Sequence, residues 1–339
     1  MTQKDPARSI PESGKSKPTA HRPLLVLVGP TAVGKTEFSL RLAAKFDGEI
    51  VSADSRLFYR GMDIGTAKPT QAQRQRIPHH LVDIVEPDQT VTLGAYQDMA
   101  YAAIEEIQRR GRLPILVGGT GQYVIAIIEG WGIPRVEPHP ALRSALRKLP
   151  RQELHRWLAA LDPQAADRIH PNNVRRVIRA LEVTIVSGRP ISDLQRKSPP
   201  PYDILVIGLR AQREVLYDRI DRRVERMMAA GLLEELKRLR RAGYGPQLPA
   251  MSGLGYQQLW AYLRGESTLE EAVQRTKYET HRLVRHQNNW FGEDDPRINW
   301  FDVGDRDAFA RIEHFVAEWL DEVGTEFPAI DEAAQSNVE

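Results

Sequence analysis

The 339-residue chain contains no cysteine, which excludes disulfides and any zinc site built on thiolates. It also lacks a long apolar run: no stretch approaches the roughly 20 residues that a membrane-spanning helix needs. The N-terminus has no apolar core of the kind a secretory signal requires. These absences together lead us to expect a cytoplasmic protein without membrane contact. Charge of one sign is scarce too, with a net charge of only +2. The paired His79-His80 has no partners at a metal-ligand spacing, so we read both histidines as loop or core residues. What remains is ordinary for a globular chain, 41% hydrophobic and 27% charged, and long enough for one large domain or two smaller ones.

The most informative stretch is Leu24-Leu25-Val26-Leu27-Val28, followed by Gly29-Pro30-Thr31-Ala32-Val33-Gly34-Lys35-Thr36. Five β-prone apolar residues predict a buried parallel strand, and a helix is expected over 37–46 after the glycine-rich turn. This is the phosphate-loop pattern G-x-x-x-x-G-K-[ST] in its proper context of strand before and helix after. Such a loop turns successive backbone amides and a helix N-terminus toward an anion. Lys35 adds a mobile positive charge, and the Thr36 hydroxyl is a candidate ligand for Mg2+. A second G-K-S, Gly14-Lys15-Ser16, has Ser9 where the first glycine belongs and no strand before it. It is a chance match.

Further along, 49–53 predicts a short strand ending at Asp54-Ser55. In open α/β sheets ligands bind beyond the carboxyl ends of the strands, so Asp54 is a candidate for chemistry, with a helix N-cap as the alternative. Residues 59–69 have the glycine-rich, polar character of a loop over a site. Residues 77–84 predict a turn into another strand, and 92–110 show helical periodicity closed by Gly111. The strand 113–117 runs into Gly118-Gly119-Thr120-Gly121, where phosphate-loop hydrolases often place an acid. Thr120 offers instead a neutral donor to an oxygen that gains charge, or a simple turn.

Prolines at 134, 138 and 140, and again at 199–201, bracket a segment that is helical in pattern and basic. From His139 to Asp203 it carries twelve Lys and Arg against six Asp and Glu. That excess is the footprint of a nucleic-acid contact or a solvated helical face. A buried strand returns at 204–209. One long helix is predicted over 213–241, with Arg219, Arg223 and Arg226 as a basic stripe that periodicity alone assigns to solvent. Basic and aromatic residues interleave over 244–290, as single-stranded RNA binding or an ordinary helix face would have them. The expected fold is α/β: a P-loop NTPase-like parallel sheet flanked by helices, with an inserted small helical subdomain. Its parts are a disordered tail at 1–22, a catalytic core at 23–136 and 204–320, the insertion at 137–203 and an acidic tail at 321–339.

These motifs, in this order, resemble the tRNA dimethylallyltransferases of bacterial type, also called tRNA isopentenyltransferases. The likeness runs from about residue 24 to 290. It rests on the phosphate loop, Ser52-Ala53-Asp54-Ser55, residues 59–69, Pro78-His79-His80-Leu81-Val82-Asp83-Ile84, Val117-Gly118-Gly119-Thr120-Gly121-Gln122-Tyr123, and Arg168-Ile169-His170-Pro171-Asn172-Asn173 with Arg179-Ala180-Leu181-Glu182. The resemblance implies transfer of a dimethylallyl group from dimethylallyl diphosphate to N6 of the adenine 3′ of the anticodon. It implies Asp54 as general base, residues Gly29 to Thr36 around the diphosphate rather than around ATP, Mg2+ at Thr36, and Arg223 and Thr120 on the leaving group. The tRNA anticodon stem-loop would lie on Asp54, Ser55, Arg56, Leu57, Thr120, Arg143, Arg175, Arg176 and Arg179, with 252–257 and 280–287 also gripping it. A monomer is expected.

The chain departs from the family pattern at Asn173, where Asp is usual, at Gln257, and at Thr280-His281 and Arg285-His286-Gln287. The competing readings are a nucleotide kinase with the same loop, a non-catalytic RNA-binding module, and a prenyltransferase of free adenine nucleotides. A kinase has no need of the basic insertion. A binding module has no need of Lys35, Asp54 and Thr120 together.

Overall fold

The computed structural model describes residues 22–324, apart from the side chain of Asn288. The N-terminal tail, the Gly14-Lys15-Ser16 match and most of the acidic tail therefore lie outside the described residues.

Six strands form one parallel sheet: β1 (Pro23–Val28), β2 (Gly48–Ser52), β3 (His79–His80), β4 (Leu113–Val117), β5 (Asp203–Arg210) and β6 (Ile298–Asp302), in the order β3-β2-β4-β1-β5-β6. Strand β1 is central, and every one of its apolar residues is fully buried. Leu25 and Leu27 face one core and Leu24, Val26 and Val28 the other, the two-sided burial of a strand with helices on both faces. On the first face lie helices α1 (Lys35–Lys45), which follows the phosphate loop, and, near the C-terminus, Ala308–Glu322. On the second lie Leu93–Arg109 and Gly121–Ile128, joined by the ring stack of Phe58, Tyr96 and Tyr123.

Between β4 and β5, five helices pack around a core of their own made by Leu146, Leu154, Leu158, Val177, Leu181 and their neighbours. The longest is Val174–Ser187. Its N-cap is Asn173, whose side chain accepts from the Arg176 N–H, so this departure from the family's Asp keeps a good capping residue.

The structure corrects the single helix expected over 213–241. Helix α2 (Arg213–Ala229) stops, Gly231 turns at φ 98°, and α3 (Leu232–Arg241) begins as a separate helix. The left-handed backbone at Gly231 is easy for glycine and costly for other residues. Strand β6 (Ile298–Asp302) has no counterpart among the elements that the sequence pattern predicts. A fourth apolar cluster joins α3, a 3-10 turn at Pro249–Ser252 and helix α4 (Tyr256–Leu263). Helix α5 (Leu269–Asn288) packs along α2 and α4. Among the described residues no helix is long and apolar enough to cross a membrane.

Candidate active site

Strands β2, β4 and β1 are neighbours, so the three segments leaving their carboxyl ends, Asp54-Ser55, Gly118-Gly119-Thr120 and the phosphate loop, emerge side by side. The loop stands where β1 is flanked by β4 on one side and β5 on the other, the crevice that doubly wound sheets use for ligands. Gly34 adopts φ 115° as the N-cap of α1, and no side chain caps that helix. Its first amides are therefore free to meet an anion. The Lys35 ammonium folds back to donate to the carbonyls of Gly29 (2.9 Å) and Pro30 (2.8 Å). Burial, reinforced by the Arg223 charge and opposed by that of Asp54, pulls its pKa down to about 8.

Two cavities meet here. One, of about 670 Å³, is bounded by Thr31 to Phe38, the arginine stripe Arg219, Arg223 and Arg226, and residues such as Arg306 and Phe309 after β6. The other, of about 410 Å³, lies between Arg56, the 3-10 turn and α5, with Val224, Met227, Leu254 and Leu283 giving it an apolar wall. Thr31, Asp54, Thr66 and Arg223 line both. A carboxylate and a guanidinium thus stand where an anion on the loop and a planar ligand in the second cavity would touch. Burial lowers the pKa of Arg223, and Asp54 opposes the shift. Asp54 Oδ1 also accepts from the Arg56 N–H at 2.9 Å, which fixes the turn after β2.

The stripe on α2, which periodicity alone assigned to solvent, faces the phosphate loop with all three arginines. Arg219 donates to the carbonyl of Val33 at 3.2 Å. Leu57 lines the first cavity and Arg56 the second, while Ser55 and Thr120 line neither. Thr120 is the N-cap of the helix after β4 but makes no capping bond with its side chain. The loop at 59–69 does cover the site: Gly65 and Thr66 line the second cavity, and Thr66, Ala67 and Pro69 the first.

Arg143, Arg175 and Arg179 are not brought to this centre. They line a separate hollow of about 510 Å³ on the insertion, with Arg147. Arg143 and Arg179 are both tied to the buried carboxylate of Glu182, whereas Arg147, Arg175 and Arg176 are exposed. In α5, His281 faces inward, stacked on Tyr217 with ring centroids 4.0 Å apart, its Nε2 standing 2.9 Å from Asp221 Oδ1 without a hydrogen bond between them. Thr280, Leu283 and His286 line the second cavity, and Gln257 lies in a different hollow. His80 is bonded to Glu49 at 2.6 Å. No cluster of acidic and histidine residues able to hold a metal occurs among the described residues.

The IPP transferase family model matches residues 57–294, beginning just after the phosphate loop and Asp54. A tRNA dimethylallyltransferase of Roseiflexus sp. is 52% identical over 303 residues, 88% of this chain and 99% of that protein. One from Roseiflexus castenholzii is 54% identical over the same shares. Among solved structures, a tRNA isopentenylpyrophosphate transferase from Bacillus halodurans superposes with a TM-score of 0.68 at 41% identity, covering 89% of this chain and 98% of that one. A eukaryotic dimethylallyltransferase described as acting on tRNA gives 0.78 at 26% identity, covering 93% and 83%.

Proposed function

The chain belongs to the tRNA dimethylallyltransferase family, a family of prenyltransferases, and we propose that its two joined cavities hold the donor and the acceptor of prenyl transfer to tRNA. Dimethylallyl diphosphate lies with its diphosphate on residues 29–36. The adenine 3′ of the anticodon, swung out of its stack because N6 cannot otherwise reach an enclosed donor, enters the second cavity. The N6 lone pair attacks C1 of the allyl group, the C1–O bond breaks, and diphosphate leaves with the electron pair. Asp54 takes the N6 proton. Lys35 and Arg223 meet the charge growing on the leaving oxygens; Thr120, which lines neither cavity, would have to turn from its place at the helix N-terminus to reach the bridging oxygen. The observation that carries this reading is the position of Asp54 and Arg223 on the boundary of both cavities.

Mg2+ fits the donor set. Thr36 lines the loop cavity and its hydroxyl has no partner among the described residues. A single hydroxyl completed by substrate oxygens and water suits this ion, which dehydrates reluctantly. Bound there, it would neutralise charge on the departing diphosphate. The anticodon stem-loop would extend over the exposed Arg147, Arg175 and Arg176. The reaction belongs in the cytoplasm, and since one chain supplies every group, a monomer suffices.

The test is incubation of the chain with dimethylallyl diphosphate, Mg2+ and an anticodon stem-loop, then mass analysis of the RNA. The expected product carries one dimethylallyl group on the adenine. An unmodified RNA, or phosphate transfer from ATP in a parallel reaction, would overturn the reading.

A further inference from the structure

Gln287 sits in the last turn of α5, in the run that family resemblance gives to gripping RNA. Its side chain points elsewhere. The carbonyl Oε1 accepts from the Thr31 N–H at 2.8 Å, and the amide Nε2 donates to the Gly119 carbonyl at 2.9 Å. One planar amide therefore bridges the first turn of the phosphate loop and the turn after β4, segments 256 and 168 residues away in sequence. The approach is close: a Cβ on Gly119 would stand 2.5 Å from Nε2 and 3.5 Å from the Lys35 ammonium. With both ends of its amide engaged, Gln287 is fixed in orientation against the loop, keeping one N–H and one oxygen lone pair.

From this geometry we infer that Gln287 is a positioning residue for the diphosphate, holding the phosphate loop and the Gly118-Gly119 turn in register, rather than an RNA contact. The inference rests on the donor assignment proposed above. It gives the loop a third support besides its own turn and the Lys35 fold-back. It also explains why Thr31, whose amide is already engaged, lines the cavity without being free to bind through its N–H.

The experiment uses Gln287→Met, which keeps the side chain's length and loses both hydrogen bonds, and Gln287→Ala. Affinity for inorganic diphosphate with Mg2+ and affinity for the anticodon stem-loop are measured separately by calorimetry, with thermal midpoints as a check on folding. The expected result is diphosphate binding weakened by roughly tenfold, the size expected from two lost hydrogen bonds at a loop edge. The KM for dimethylallyl diphosphate rises in parallel and stem-loop affinity stays within twofold. Unchanged diphosphate binding overturns the inference, as does a loss confined to the stem-loop, which would return Gln287 to the RNA. Tighter diphosphate binding also overturns it, since Gln287 would then be competing for the Thr31 N–H. Failure of the unsubstituted protein to bind diphosphate at all would instead sink the donor assignment.

Discussion

The Tyr256 hydroxyl donates a 2.6 Å hydrogen bond to the carboxylate of Glu235, and both residues are buried, at 0% and 1% exposure. The same carboxylate accepts from the backbone amides of Asp63 (2.9 Å), Ile64 (2.9 Å) and Gly65 (3.1 Å). A buried carboxylate is costly unless it is fully hydrogen-bonded, and here four donors satisfy it. Three of them belong to the loop that covers both cavities. Burial, joined by the neighbouring Glu235 charge, pushes the Tyr256 hydroxyl far above its ordinary pKa, so it remains a donor at any working pH. Helix α3 thereby reaches the site through the loop, without lining either cavity.

Removing the phenol hydroxyl tests that arrangement. Tyr256→Phe deletes one hydrogen bond to a charged acceptor, worth about 1.5–3 kcal/mol, and a lower urea midpoint is expected. The KM for the stem-loop should rise as Gly65 and Thr66 loosen. Gly65→Ala should act similarly, because its new Cβ would lie 2.5 Å from the Tyr256 ring.

Much of this site was legible in the sequence, for physical reasons. Strand β1 is apolar on both faces because both faces are covered, and the turn after it can be recognised because Gly29 and Gly34 stand where φ is 144° and 115°, values that favour glycine. Asp54 stands out because it ends a short strand. The rest depends on long-range placement. Periodicity found the stripe of Arg219, Arg223 and Arg226 but not the cavity it borders; Arg219 and Arg223 are partly buried there, while Arg226 is exposed. The apolar spacing of α2 continues through Leu232, Leu236 and Leu239 into α3, which hid the break at Gly231. Strand β6 has only five residues, two of them polar, too few to show alternation. No local pattern encodes the bridge made by Gln287.

Lys35 gives the unliganded protein a predictable pH response. Its pKa, about 8 when folded, lies below its ordinary value of about 10.4 in the unfolded chain. Between these pH values the unfolded state holds more protons, so this group makes the unliganded fold more stable as pH rises through that window. Diphosphate binding needs the charged amine, and affinity should fall as pH passes about 8. Lys35→Arg, which stays charged, should flatten that fall. Calorimetric titration with diphosphate from pH 7 to 9.5 measures both.

Asp54→Asn keeps an acceptor for the Arg56 N–H and removes the basicity. Loss of a general base should lower kcat by about 10²- to 10⁴-fold, while stem-loop affinity, measured by filter binding, remains within a few-fold. Undiminished turnover would remove Asp54 from proton transfer.

The arginines of the insertion divide into two kinds, and separate measurements should tell them apart. Burial opposes ionisation of Glu182, but hydrogen bonds from Arg143, the His139 N–H and Arg179 outweigh it and hold the carboxyl to about 2. A folded pKa below the unfolded one gives stability that is present above the ordinary glutamate range and is lost as pH falls toward 2. Glu182→Gln should therefore weaken the acid dependence of unfolding. Arg143→Ala leaves the Glu182 charge buried with one partner fewer, and it should lower the thermal midpoint. Arg175→Ala and Arg176→Ala remove exposed guanidinium groups with no acidic partner among the described residues, so their thermal midpoints should not move. Each should instead weaken stem-loop binding and reduce the slope of log affinity against log salt by about one if it meets a phosphate. An unchanged salt slope in both would place the RNA on another face of the insertion.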